Sequence, residues 1–158
     1  MRKSKKPSAR ATAARSSARK AVVKPRPKPM RPKHAFTVSH VNERDFNTGL
    51  RSYAHYRDLG IAKATNGMAV AHVVRFVPPC DPEVVSKEHH HDVDFQMVYV
   101  LKGWITTQFD GHGAFTMKAG SAWLQPPNIK HKVLDYSDDC EVLEIVMPGN
   151  FKTVELEK

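Results

Sequence analysis

The sequence predicts an all-β fold over residues 37–158, in which two antiparallel sheets close into a barrel. Three observations predict it. Residues 37–158 divide into about ten short apolar runs rich in Val, Ile, Phe and Tyr, residues that suit a pleated, half-buried surface. Asn66-Gly67, Asp110-Gly111 and clusters of proline punctuate these runs, as turns do in sandwiches and barrels. No stretch gives a convincing helical pattern.

Taken in order, Ala35–Val41 reads as a first strand or as an arm crossing to a partner subunit, and Asn42–Asn47 as a polar connection. Arg51–Arg57 reads as a strand, with Tyr53 and His55 on one face and Ala54 and Tyr56 on the other. Asp58–Gly60 turns the chain into Ile61–Thr65, and Asn66-Gly67 predicts a tight hairpin, because both central positions of that turn need positive φ. Met68–Val77 follows as a run of β-branched residues, then a loop stiffened by Pro78, Pro79 and Pro82. Phe95–Leu101 is apolar on both faces apart from Gln96, so one face needs a cover, either a second sheet or another subunit. Lys102-Gly103 bends the chain into Trp104–Phe109, and Asp110-Gly111 makes a hairpin into Ala114–Met117. Ser121–Leu124 and His131–Leu134 flank a turn at Pro126-Pro127-Asn128. Cys140–Met147 is the last long apolar strand, and Phe151–Leu156 pairs as an edge.

The net charge of +9 averages two unlike parts. Residues 1–36 hold thirteen Lys/Arg and no Asp or Glu, whereas residues 37–158 hold twelve Lys/Arg against sixteen Asp/Glu. The chain therefore reads as a disordered basic arm, 1–36, followed by an acidic barrel domain, 37–158. The arm is a plain solubilising extension, a non-specific contact to polyanions such as nucleic acid, or an organelle-import segment removed after import. Two cysteines, Cys80 and Cys140, are too few for a disulfide scaffold and are expected reduced. No apolar run approaches the ~20 residues of a membrane span, so a cytoplasmic protein without membrane contact is expected.

The chemistry gathers in two stretches, Lys87–Trp104 and Gly120–His131. His89 and His91 lie two apart, so in a strand they share one face while His90 takes the other. Two imidazoles so placed make half a metal site, and a third from a neighbouring strand with a side-chain oxygen would complete it. His131 lies eleven residues after Gly120 and five after Pro126. The plain alternative is a run of hydrogen-bonded or exposed histidines beside Asp92 and Asp94.

These residues resemble the cupin pattern, G-x5-HxH-x(3,4)-E-x6-G followed by G-x5-PxG-x2-H-x3-N. His89, His91, Gly103, Gly120, Pro126 and His131 fall in register. Glu83, Gln96, Asn128 and Asp135 stand where the pattern has glycine, glutamate, glycine and asparagine. Asn128 is a mild change, since Asn tolerates the left-handed backbone region. Gln96 removes a charge and leaves a neutral oxygen donor. The resemblance implies a double-stranded β-helix, or jelly-roll barrel, holding a divalent transition metal (Fe, Mn, Zn, Ni or Cu) on His89, His91, Gln96 and His131.

It further implies a metal-dependent dioxygenase or isomerase acting on a small organic molecule. Two alternatives stay open: a non-catalytic, ligand-binding or regulatory cupin, and a polyanion-associated cupin acting through the arm. His55 and His72, in mid-strand, read first as core histidines. Arg75, Tyr99, Gln108 and Trp123 are candidate cavity-wall residues by alternation, and an inward Arg would suit an anionic substrate. The two-faced apolar strands predict a homodimer.

Overall fold

The computed structural model describes residues 33–49 and 51–156, so the expectations for the basic arm at residues 1–32 lie outside the described residues. Among the described residues, eleven strands form two antiparallel sheets. The six-stranded sheet runs, in spatial order, β1 (Asn47–Thr48), β2 (Ala54–Asp58), β3 (Val70–Phe76), β10 (Glu141–Met147), β5 (Phe95–Lys102) and β8 (Ala122–Leu124). The five-stranded sheet runs β11 (Lys152–Glu155), β4 (His89–Asp92), β9 (His131–Tyr136), β6 (Trp104–Phe109) and β7 (Gly113–Lys118). The all-β jelly roll expected from the sequence is the fold observed.

Register decides what faces inward. Val142 of β10 lies opposite Val74 and Val100, so the three side chains share the inner face of one sheet. Together with Phe76 and Val98 they meet Ile105, Phe109, Met117, Val133 and Tyr136 of the other. Each such side chain, fully buried, contributes roughly 1.5–3 kcal/mol of transfer free energy. The Tyr136 hydroxyl donates to the Val77 carbonyl at 2.8 Å, so the largest polar group of this core is satisfied. Cys140 is fully buried as a small apolar residue, and burial pushes its thiol up to about 12.

Two motif positions show why their residue types are needed. Gly103 turns the chain from β5 in one sheet to β6 in the other at φ +65, where a Cβ would lie 2.1 Å from Ser137 Oγ. Asn128 adopts φ +59 in the turn before β9, the left-handed conformation that Asn tolerates.

Four expectations need correction. Ala35–Val41 is not a strand. The short β1 already occupies the free edge of β2, and the segment's tie to the body at this end is a backbone bond from Ala35 to Ala64. Phe36 is consequently 94% exposed and Val41 73%. The chain also contains short helices: a 3-10 turn at Glu43–Asp45, α1 (Ile61–Ala64) and α2 (Pro82–Val85). Their signals are local, as in α2, where Asp81 caps by accepting from the Glu83 amide and proline occupies the first turn. Ile61–Thr65 therefore turns as helix, not as strand. Asn66-Gly67 does adopt positive φ at both residues, but it joins α1 to β3 and makes no β-hairpin. Asp110-Gly111 does lie in the β6–β7 hairpin, where Phe109 pairs with Gly113.

The outer face of the six-stranded sheet stays apolar, with Tyr99, Leu101 and Leu124 exposed around Leu143 and Ile145. Among the described residues no helix is long and apolar enough to cross a membrane.

Candidate metal centre

β4 carries His89 and His91 on one face, and pairing of His89 with His131 at the start of β9 brings the third imidazole alongside. Ring centroids lie 4.2 Å apart for His89 and His131, 5.1 Å for His89 and His91, and 5.2 Å for His91 and His131. One nitrogen from each ring lies within 4.8 Å of the other two. His89 and His131 are buried, so the reading of an exposed polar loop falls.

Each ring is oriented by a bond at Nδ1. Nδ1 of His89 donates to the Lys87 carbonyl at 2.9 Å, and that of His131 donates to the Ile129 carbonyl at 3.0 Å. A carbonyl only accepts, so both rings carry their proton on Nδ1 and present an Nε2 lone pair, which in His131 accepts from Gln125 Nε2 at 3.0 Å. His91 Nδ1 meets the Thr153 hydroxyl at 2.9 Å, while Phe151 packs edge-on to the same ring. β11 thus orients a candidate ligand although it contributes none.

The rings are neutral. Burial, then the neighbouring His131, pushes His89 down to about 4. Burial, then His131 and His89, pushes His91 down to about 3. Burial lowers His131 as well, against its bond to the Ile129 carbonyl. Neutral imidazoles with outward lone pairs are what a divalent transition ion requires, so the donor set fits such an ion.

Gln96, almost fully buried, lies beside this cluster in a chain of amides. Its Nε2 donates to Glu144 Oε1 at 2.7 Å, its Oε1 accepts from Gln125 Nε2 at 2.9 Å, and Gln125 Nε2 stands 3.0 Å from His131 Nε2. Glu144 is half-buried. Burial raises its pKa, opposed by the Gln96 bond and by His72.

All these groups border one cavity of about 340 Å³ between the sheets, walled by Tyr53, Tyr56, Phe76, Val98, Trp123 and Val142. Of the residues raised from sequence, His72 and Trp123 reach it, whereas His55, Tyr99 and Gln108 do not. Arg75 faces outward, pairing with Glu141 at 2.6 Å and Glu43 at 2.7 Å above the Phe46 ring. His90 takes the opposite face of β4 from the cluster, opposite Val154 of β11. Sequence reasoning missed Arg51, Gln125, Glu144 and Thr153. Only Glu144 had a signal: it is an acid between Val142 and Val146 on the inward face of an apolar strand.

Residues 80–146 match the model of the cupin domain family. The barrel has the cupin fold. No curated protein matches the sequence. Solved structures resemble this cupin closely enough to share its fold. The polyketide cyclase RemF from Streptomyces resistomycificus superposes with a TM-score of 0.58 at 16% identity, covering 77% of this chain and 87% of that one. KdgF from Halomonas sp. gives 0.55 at 18% identity, covering 68% and 92%. Oxalate decarboxylase from Bacillus subtilis gives 0.55 at 19% identity, covering 78% of this chain and 34% of that one.

Proposed function

We propose that this cupin holds a divalent transition metal on His89, His91 and His131, with the Gln96 amide oxygen completing the set, and transforms a small organic molecule in the adjoining cavity. The observation that carries the reading is the trio of neutral imidazoles, two of them held with the proton on Nδ1, bordering an apolar-walled cavity. When bound, the ion would supply a Lewis-acidic position open to a substrate oxygen. Gln125 has to release the His131 lone pair for the ion to enter, and turning it aside also uncovers Gln96 Oε1. Glu144 is the residue placed to hold a proton inside the cavity, since burial favours its neutral form. Tyr53, Tyr56, Phe76 and Trp123 exclude water from the reacting face. Among the named neighbours one is a cyclase and another a decarboxylase, so the fold alone selects no reaction. An oxygenase or isomerase reaction is the form of the proposal that the open metal position favours.

Elemental analysis after purification without metal resin or chelator tests the centre. Oxygen uptake over diketones, phenols and keto acids then tests the chemistry. One ion per chain with turnover supports the enzyme, and one ion with ligand binding but no turnover supports a binding cupin. No ion removes both metal-based readings. The same proposal includes a homodimer through the apolar outer face of the six-stranded sheet, which light scattering at tens of micromolar would contradict by finding a monomer.

A further inference from the structure

Among the described residues, Arg51 is the one lysine or arginine whose side chain borders the histidine cavity. It is 8% exposed, an uncommon degree of burial for arginine. One guanidinium nitrogen, Nη1, is paired with Glu155 of β11, which lies opposite His89 across the sheet. The other, Nη2, is buried and has no hydrogen-bond partner among the described residues. A guanidinium does not lose its proton, so a buried, unpartnered Nη2 is an outstanding cost that a ligand acceptor would remove. Two other buried groups lack partners, Arg57 Nε and His90 Nδ1, but neither residue borders the cavity.

We infer that the cavity takes a small organic monocarboxylate, whose carboxylate bonds the free Nη2 edge of Arg51 while its apolar body lies against the aromatic wall. The inference deepens the proposed function by naming its substrate class. It rests on that reading for the cavity, not for the metal. Glu155 holds Nη1 in a salt bridge, so Arg51 meets an incoming acceptor already oriented. A monoanion suits the site better than a phosphate. In the metal-free cavity, a dianion enclosed against one guanidinium that already shares its charge with Glu155 would stay uncompensated. A neutral amide of the same shape would satisfy fewer of the donors and forgo the charge.

Calorimetry with benzoate and with benzamide, two probes of equal shape and different charge, tests this on chelator-dialysed and metal-loaded protein. Benzoate should bind at least about tenfold more tightly than benzamide in both preparations. In the chelator-dialysed protein Arg51→Gln should abolish that preference and Arg51→Lys should retain part of it, with the metal content of the loaded protein unchanged. Equal affinities, no benzoate binding at millimolar concentration, or a preference that survives Arg51→Gln in the chelator-dialysed protein would overturn the inference. Should Arg51→Gln fail to fold by circular dichroism, modification of the native protein by phenylglyoxal decides. Benzoate that protects Arg51 supports the subsite, and benzoate that leaves it reactive overturns it. A protein that never holds metal yet prefers benzoate would break the metal reading and leave this one standing. Full metal loading without the preference would do the reverse.

Discussion

At one end of the cavity burial lowers the pKa of three bases, and at the other it raises that of one acid. The histidine end is built on β4 and β9 and tied outward, each ring to the chain behind it through Nδ1. The carboxyl end is built on β10 and tied inward, through Gln96 and Gln125, to the histidines themselves. Desolvation disfavours charge of either sign, so at both ends burial favours the neutral form. The comparison teaches that this interior offers a bound cation neutral donors and one carboxyl whose ionisation burial disfavours. The compensating charge has to arrive with the ligand or through ionisation of Glu144.

That contrast can be broken first at the histidines. His91→Ala should lower metal affinity by more than about a hundredfold, beyond what loss of a supporting partner costs. A titration giving a change under tenfold would mean His91 is not a ligand. Acid should act almost as strongly. Metal affinity should stay nearly flat from neutral pH down to about 5 and fall as pH drops through about 4 and 3, where His89 and His91 take protons. Unfolding of the metal-free protein checks the sign. The unfolded chain binds protons near 6.5 and the folded imidazoles only near 4 and 3. The unfolded state therefore holds more protons in between, and stability falls on acidification through that interval. The raised pKa of Glu144 works oppositely, its contribution declining as pH rises past the ordinary carboxylate range. Denaturant midpoints unchanged between pH 7 and 4 would contradict the buried, neutral trio.

Thr153→Val tests whether β11 matters to a centre it does not ligate. Loss of the His91 Nδ1 partner should cost about tenfold in metal affinity without changing stoichiometry. The smallest expected effect is at the amide. Gln96→Glu should tighten divalent binding by a few-fold, because a carboxylate is the stronger donor, and the adjacent Glu144 has to keep its proton for this to occur. Weaker binding by calorimetry would place Gln96 outside the metal's reach.

The same division marks what could be read beforehand. His89, His91 and His131 were legible because their geometry is set by strand alternation and by one pairing between two motif-bearing segments. Asn128 was legible because a left-handed position restricts residue type. Arg51 and Thr153 were not, because each reaches the cavity through a long-range pairing that carries no spacing signature. Arg75 was placed inward by simple alternation, but Glu43 and Glu141 on the outer side hold it there. Asn66-Gly67 had the right dihedrals in the wrong setting, since a turn signal does not say whether strand or helix precedes it.

The central claim is that three imidazoles from β4 and β9 converge on one cation. Anomalous diffraction from crystals grown with zinc or cobalt addresses it directly. The account predicts a single peak per chain about 2.0–2.2 Å from Nε2 of His89, His91 and His131. A peak bound elsewhere, or rings that keep their bonds to Gln125 and hold no ion at saturating metal, would contradict it.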